Sequence, residues 1–258
     1  MSAPSPDPVT RFDGHAANYA ASELHQDSPS IRRLHALVDL PPRASLCDVA
    51  CGTGHLGLSF AGRVGRLVGV DPAPRMLAAF EAAARARGVE VECVLSRAES
   101  VPLPDASFDF VASRLAPHHF RDVRAAVREM ARVTKPGGQV AVIDLVGHDD
   151  PEVDELNHVL EVLHDPTHQR SYRAGEWRGF LEQAGLEVVA LETGSERPQG
   201  VTVRRWCEVA ASGAEAEAAI RARLRAAPPA MLRALDVREQ DGELYVTSRS
   251  VLALARKR

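Results

Sequence analysis

Two groups of residues in this chain have the types and spacing to do chemistry. The first is the run Leu46-Cys47-Asp48-Val49-Ala50-Cys51-Gly52-Thr53-Gly54, followed by Asp71 at the end of the next apolar segment. A short apolar strand that breaks into a turn of small residues lets a ligand approach the backbone closely. A carboxylate closing the following strand can accept hydrogen bonds from both ribose hydroxyls and rejects a 2′-phosphate, so an unphosphorylated adenosine is implied. Asp48, inside the first strand, adds a sign. A carboxylate there repels a pyrophosphate and suits a ligand that carries an ammonium group. The second group is His118-His119 with Asp144. The histidines follow the fourth apolar segment and Asp144 lies at the end of the fifth, so an imidazole and a carboxylate converge from neighbouring strand ends as a base and its orienting group.

Such residues need a scaffold that brings strand ends together, and the hydrophobic pattern supplies one. Short β-rich runs recur at Leu46–Val49, Leu67–Val70, Val91–Leu95, Phe108–Ala112 and Val140–Leu145. Alanine- and arginine-rich helical stretches alternate with them at His55–Val64, Pro74–Arg87 and Val123–Thr134, with Gly88 and Pro136-Gly137-Gly138 as stops. This alternation requires right-handed crossovers and a parallel sheet covered on both faces. Ligands of such sheets sit beyond the carboxyl ends of the strands, where Ala50, Asp71, Ala98 and Arg114 fall. Further on, Glu176–Leu186 reads as a helix feeding a sixth strand at Glu187–Glu192, and Leu244–Ala255 reads as a seventh. The stretch between those strands is far longer than a hairpin needs and holds Trp206, a helical pattern over Ala214–Ala226 and Pro228-Pro229.

The motifs continue in order. Asp71-Pro72-Ala73-Pro74-Arg75-Met76-Leu77 opens a helix, and Ala98-Glu99-Ser100-Val101-Pro102-Leu103-Pro104-Asp105-Ala106-Ser107-Phe108-Asp109 precedes the fourth strand. Ser113-Arg114-Leu115-Ala116-Pro117-His118-His119-Phe120 follows that strand, and Glu129-Met130-Ala131-Arg132-Val133-Thr134-Lys135-Pro136-Gly137-Gly138 leads into the fifth. Across residues 40 to 148 the chain resembles the class I S-adenosylmethionine-dependent methyltransferases, and within them the small-molecule type similar to the ubiquinone/menaquinone-biosynthesis enzymes. Chance matches do not keep order and spacing in this way.

The resemblance implies an α/β fold: a Rossmann-like, doubly wound, mostly parallel seven-stranded sheet with helices on both faces and a helical lid. It divides the chain into residues 1–40, an N-terminal tail and cofactor-covering helices; 41–148, the S-adenosylmethionine-binding core; and 149–258, lid insertions plus the last two strands of the same domain. It further implies S-adenosylmethionine as cofactor and S-adenosylhomocysteine as product. The cofactor residues would be Tyr19, Asp48, Ala50, Gly52, Gly54, Asp71, Pro72, Met76, Ala98, Glu99, Arg114 and Leu115, with Met76 packing on adenine. Arg11–Ala20 is similar to the family's cofactor-covering helix, and Tyr19 could touch either ligand. One position departs from the pattern. Arg97 stands where an acid often meets the adenine amino group, and a guanidinium has no acceptor for that amine. Adenine is then read by backbone groups at Ala98, or Arg97 points to solvent.

The implied activity is methyl transfer to a small organic acceptor, with an oxygen nucleophile favoured over carbon or nitrogen. The catalytic candidates are His118, His119 and Asp144; one histidine would be the base and the other a packing residue, while Asp144 could instead cap a helix. His168 could face the acceptor or cap its loop. Trp177 reads as a core anchor, and Arg221, Arg223 and Arg225 as a solvated helix face. Two other readings keep the same fold: a cofactor-bound enzyme of different chemistry, such as a cyclase, and a non-enzymatic binding or assembly factor. A nicotinamide oxidoreductase, suggested by Gly57 completing a third glycine position, is disfavoured by Asp48.

Composition narrows the class. The chain has 258 residues, 45% of them hydrophobic, and a formal net charge of −4, which suits one α/β domain with additions and gives no basis for nucleic-acid binding. No apolar run is long enough to span a bilayer, and the Pro/Ser-rich opening Met1–Pro8 reads as a tail without a signal-peptide pattern. The cysteines Cys47, Cys51, Cys93 and Cys207 form no Cys-x-x-Cys pair, consistent with reduced thiols in a cytoplasmic protein. No set of histidines has metal-ligand spacing. The long insert could also form a homodimer surface.

Overall fold

A computed structural model describes residues 7–22, 26 and 28–258. The elements follow in chain order as α1 (Pro8–Ala21), α2 (Pro29–Leu37), β1 (Ala44–Val49), α3 (His55–Ser59), β2 (Val64–Asp71), α4 (Pro74–Ala86) and β3 (Glu92–Leu95). Next come β4 (Phe108–Arg114), a 3₁₀ turn (Pro117–His119), α5 (Val123–Val133), β5 (Thr134–Leu145), α6 (Pro151–His164), α7 (Ala174–Gln183) and β6 (Leu186–Ser195). The last part holds β7 (Val201–Thr202), α8 (Val203–Ala210), α9 (Ala214–Ala226), α10 (Pro229–Ala234), β8 (Arg238–Gln240), β9 (Glu243–Val246) and β10 (Arg249–Lys257). No helix among the described residues is long and apolar enough to cross a membrane.

A seven-stranded sheet runs in the order β3-β2-β1-β4-β5-β10-β6. The pairs from β3 through β5 are parallel, and β10 is antiparallel to both its neighbours. This is the Rossmann-like, mostly parallel sheet that the motif order implies. Strand order reverses between β1 and β4, and the crevice beyond their carboxyl ends is where such sheets hold ligands.

Every residue of β1 is buried, because helices cover both faces of the sheet. On one face Leu34 of α2, Phe60 and Phe80 of α4 join Leu46 and Ile143 in one apolar cluster. On the other face α5 and α7 contribute Val127, Met130, Trp177 and Phe180. The buried positions of α5, Val123, Ala126, Val127, Met130 and Ala131, repeat at three- and four-residue steps and so form a single stripe. Trp177 is fully buried, the core anchor expected.

Several boundaries differ from the sequence reading for reasons of tertiary pairing. The helix expected to reach Val64 ends at Ser59, because Val64 pairs with Ala44 as the first residue of β2. Thr134 leaves the preceding helix to pair with Phe108 in β5. The seventh strand expected over Leu244–Ala255 is two strands: β9 pairs with β7 and β8 in a separate three-stranded sheet, and β10 enters the main sheet. The tail expected over Met1–Pro8 is shorter, since Asp7 caps α1 and Pro8 is its first residue; residues 1–6 lie outside the described residues.

The insert between β6 and β10 closes over α6 with an apolar centre of its own, including Leu160, Trp206, Ile220, Leu224 and Leu244. It therefore contains a small sheet as well as the helices expected. Arg221 is not on a solvated face. Its side chain is 15% exposed and bonds Glu217 and Glu243, joining α9 to β9.

Candidate active site

The loop after β1 is built from left-handed residues: Ala50 has φ 54°, Gly52 51° and Gly54 82°. The loop is tied to β2 by the Cys51 N–H bonding Val70 O at 3.1 Å and by the Gly52 N–H bonding Asp71 Oδ2 at 2.8 Å. The two conspicuous glycines have different duties. A Cβ on Gly54 would lie 2.0 Å from Phe80 Cδ2, so only glycine fits beneath the α4 ring. On Gly52 the nearest atom to such a Cβ is Met76 Sδ at 3.9 Å, and its open side faces a cavity.

That cavity has about 1020 Å³ of open space at the switch point. Its walls include Tyr19, Asp48, Ala50, Gly52, Asp71, Pro72, Met76, Ala98, Glu99, Arg114 and Leu115. All the residues expected to hold the cofactor therefore converge there except Gly54, whose constraint is packing. Arg97 also lines the cavity, with its side chain 38% exposed and its guanidinium bonding Asp7 Oδ1 at 3.2 Å, at the N-cap of α1. Glu99 is anchored by the Arg121 N–H at 2.9 Å. From α1, Val9, Phe12 and Tyr19 pack on Met76 and close the cavity from above.

Two carboxyls at the strand ends dominate its electrostatics. Burial pushes Asp71 up to about 6, against the Ala73 and Gly52 N–H groups that bond it. Burial likewise pushes Asp48 up to about 7, opposed by the Gly57 N–H at 2.8 Å and reinforced by the Asp71 charge. Buried acids raised in this way are stabilised by a cationic, hydroxyl-bearing ligand. The residues present thus fit an S-adenosylmethionine-like group: a diol acceptor at Asp71, negative charge at Asp48, an open backbone at Gly52 and apolar walls at Phe12 and Met76.

A second cavity, about 730 Å³, shares Phe12, Tyr19, Leu115 and His119 with the first. His118 Nδ1 lies 2.6 Å from Asp144 Oδ1, and Asp144 is fully buried. Burial disfavours the imidazolium, but the charge and hydrogen bond of Asp144 outweigh it, and the His118 pKa is raised. His119 behaves oppositely. Burial and the neighbouring His118 charge push it down to about 3, and its Nδ1 is 3.2 Å from Thr167 O. A ring that is neutral and donates Nδ1–H to a carbonyl leaves Nε2 as its acceptor. Glu161, His164, Asp165, His168, Glu196, Arg197 and Trp206 complete the lining, with His164 stacked on Trp206 at 4.0 Å between ring centroids.

A family model described as methyltransferase domain matches residues 47–142. The uncharacterized methyltransferase YcgJ of Bacillus subtilis (strain 168) is 35% identical over 173 residues, 67% of this chain and 68% of that protein. This chain belongs to the class I S-adenosylmethionine-dependent methyltransferases. The demethylmenaquinone methyltransferase of Thermus thermophilus is 39% identical over 111 residues, covering 42% of this chain and half of that protein. A solved structure of a Bacillus halodurans C-125 protein described as a methyltransferase superposes with a TM-score of 0.83 at 28% identity, over 88% of this chain and 98% of that one. Use of S-adenosylmethionine is a general property of the family.

In this methyltransferase the expected trio His118, His119 and Asp144 does meet, and Asp144 bonds His118 rather than capping a helix. His168 reaches the same cavity and lies 5.3 Å from the His118 ring. Glu161, Glu196 and Arg197 were not foreseen. Glu161 carries one legible sign, an acid beside Leu160 on the buried stripe of α6. Glu196 and Arg197 follow β6 with no sequence signal of their own.

Proposed function

We propose that this enzyme methylates an oxygen of a small organic acceptor held in the second cavity, with His118 as general base. The observation that carries this reading is the His118–Asp144 hydrogen bond in a cavity that shares its wall with the cofactor site. When bound, S-adenosylmethionine supplies an electrophilic methyl on a sulfonium, open to in-line attack. The chain would hold it through Asp71, Asp48, Ala50, Gly52, Met76 and Ala98.

The acceptor hydroxyl proton passes to His118 Nε2, since Nδ1 is engaged by Asp144. Asp144 fixes the tautomer and stabilises the imidazolium that forms. His119, kept neutral by burial, stands at the junction of the cavities and orients the acceptor without adding positive charge beside His118. Helix α1 and the insert between β6 and β10 form the lid that excludes water. Residues 1–40 would act as cover, 41–148 as cofactor core, and 149–258 as lid insertions plus the last two strands of the same domain.

The test is calorimetric titration of S-adenosylhomocysteine beside NAD. Micromolar binding of the former alone, about −8 kcal/mol, is the expected result, and binding of NAD alone would overturn the reading.

A further inference from the structure

The charged groups of the second cavity are mostly matched. His118 is paired with Asp144. Asp165 meets Arg11 at 3.0 Å and accepts from Thr167. Glu196 accepts from Ser30 at 2.8 Å and Ser250 at 2.7 Å, and lies 3.5 Å from Arg114. These contacts occupy the carboxylate adjacent to Arg197 in sequence. Glu161 lies 3.8 Å from His164, but burial pushes that imidazole down to about 3 and the Glu161 carboxyl up to about 7, so the two form no ion pair at neutral pH, and the Arg197 charge favours the carboxylate.

Among the described residues Arg197 has no bonded side-chain partner either. Its Nε is buried without a hydrogen-bond partner, and among the described residues its guanidinium forms no ion pair. Its position is nonetheless fixed. The Arg197 N–H bonds Ser195 Oγ at 3.1 Å, its carbonyl accepts from the Gly200 N–H at 2.8 Å, and the preceding Glu196 N–H bonds Ser248 O at 2.9 Å. The chain thus presents a planar donor fork at the cavity wall, with Glu196 and Glu161 as negative and Arg114 and Arg205 as positive neighbours beyond bonding distance. A buried guanidinium Nε without an acceptor is costly unless a ligand supplies one. Its fork matches the two oxygens of a carboxylate. The remaining wall, with Leu115, Leu145, Trp206 and Val209, is apolar.

We infer that Arg197 is the anchor for a carboxylate on the methyl acceptor, whose apolar body lies along Trp206 while its nucleophile points toward His118 and His119. The inference rests on the second cavity being the acceptor site. It makes the acceptor a small apolar acid rather than a neutral quinol or alcohol.

The test uses the full chain and matched probes: benzoate, 3-phenylpropanoate and hexanoate against their primary amides, titrated with and without saturating S-adenosylhomocysteine. At least one acid is expected to bind about 10-fold tighter than its amide. Arg197→Gln should abolish that preference and Arg197→Lys should retain part of it, with S-adenosylhomocysteine affinity unchanged in both. If no acid outbinds its amide, or if Arg197→Gln keeps the preference, the inference fails. Failure of S-adenosylhomocysteine to bind would instead strike the cofactor reading, and the titrations without it still judge Arg197.

Discussion

His118 and Asp144 sit on adjacent strand ends and share a 2.6 Å hydrogen bond inside a buried cavity. The pair sets a pH dependence whose sign follows from the geometry. Burial alone lowers the imidazole pKa, Asp144 more than compensates, and the value lies above the ordinary 6.5. A base with a raised pKa keeps its proton to higher pH. Turnover is therefore expected to rise with pH through a midpoint above 6.5, and in Asp144→Asn to fall about 10²-fold or more with that midpoint lowered. A pH–rate profile of both proteins checks this, and a profile flat through the histidine range in the parent enzyme would remove His118 as the base.

Asp71 holds its own loop as well as the expected diol, through the Gly52 and Ala73 N–H groups. Asp71→Ala should weaken S-adenosylhomocysteine binding by about 30-fold or more, in line with charged hydrogen bonds worth about 2 kcal/mol. Calorimetry reads the effect directly. Unchanged affinity would remove Asp71 from the site.

Gly54 tests packing instead. An alanine there sets a Cβ 2.0 Å from a buried phenylalanine ring at a φ of 82°. Overpacking and left-handed strain together should destabilise the fold by roughly 3 kcal/mol. For a chain of this size that lowers Tm by roughly 6–12 °C. Differential scanning calorimetry would show it, while Gly52→Ala should stay nearer the parent Tm and lose cofactor affinity.

Asp109 ties β1 to β4 and β5, accepting from Ser45 and pairing with Lys135 at 2.8 Å. Burial opposes ionisation, but Lys135 and Ser45 prevail and lower the carboxyl from 3.8 to about 2. A depressed carboxyl contributes stability that is complete above 3.8 and lost as the pH falls toward 2. Asp109→Asn should therefore flatten the acid limb of the stability curve in that window, measured by urea unfolding at successive pH values.

The lining of the first cavity was legible because most of the residues expected there are placed by local chain geometry. Ala50 and Gly52 occupy a turn that demands small residues, and Asp71 ends a strand whose partner is the preceding β-segment. Asp144 and His118 were found by the same logic of adjacent strand ends. Much of the second cavity was not. Glu161, Glu196 and Arg197 come from a helix and a strand end that meet only through tertiary packing; Glu161 carries only its place on the buried stripe of α6, and Glu196 and Arg197 carry no periodic or motif signal. The break at Thr247-Ser248 was hidden for a related reason: β9 and β10 read as one apolar run, and only their different sheets separate them.

Helix α1 supplies Phe12 and Tyr19 to both cavities and is fastened at its first turn, to Arg97 and Arg121 through Asp7 and to Asp165 through Arg11. A displacement large enough to empty one cavity exposes the other. On the proposed function, departure of methylated product and exchange of spent cofactor would share a single opening. The Asp7 fastenings are half exposed and screened by salt, whereas the Arg11–Asp165 contact is sheltered. Raising ionic strength should therefore weaken the Asp7 contacts before the Arg11–Asp165 contact and speed the opening of both cavities together.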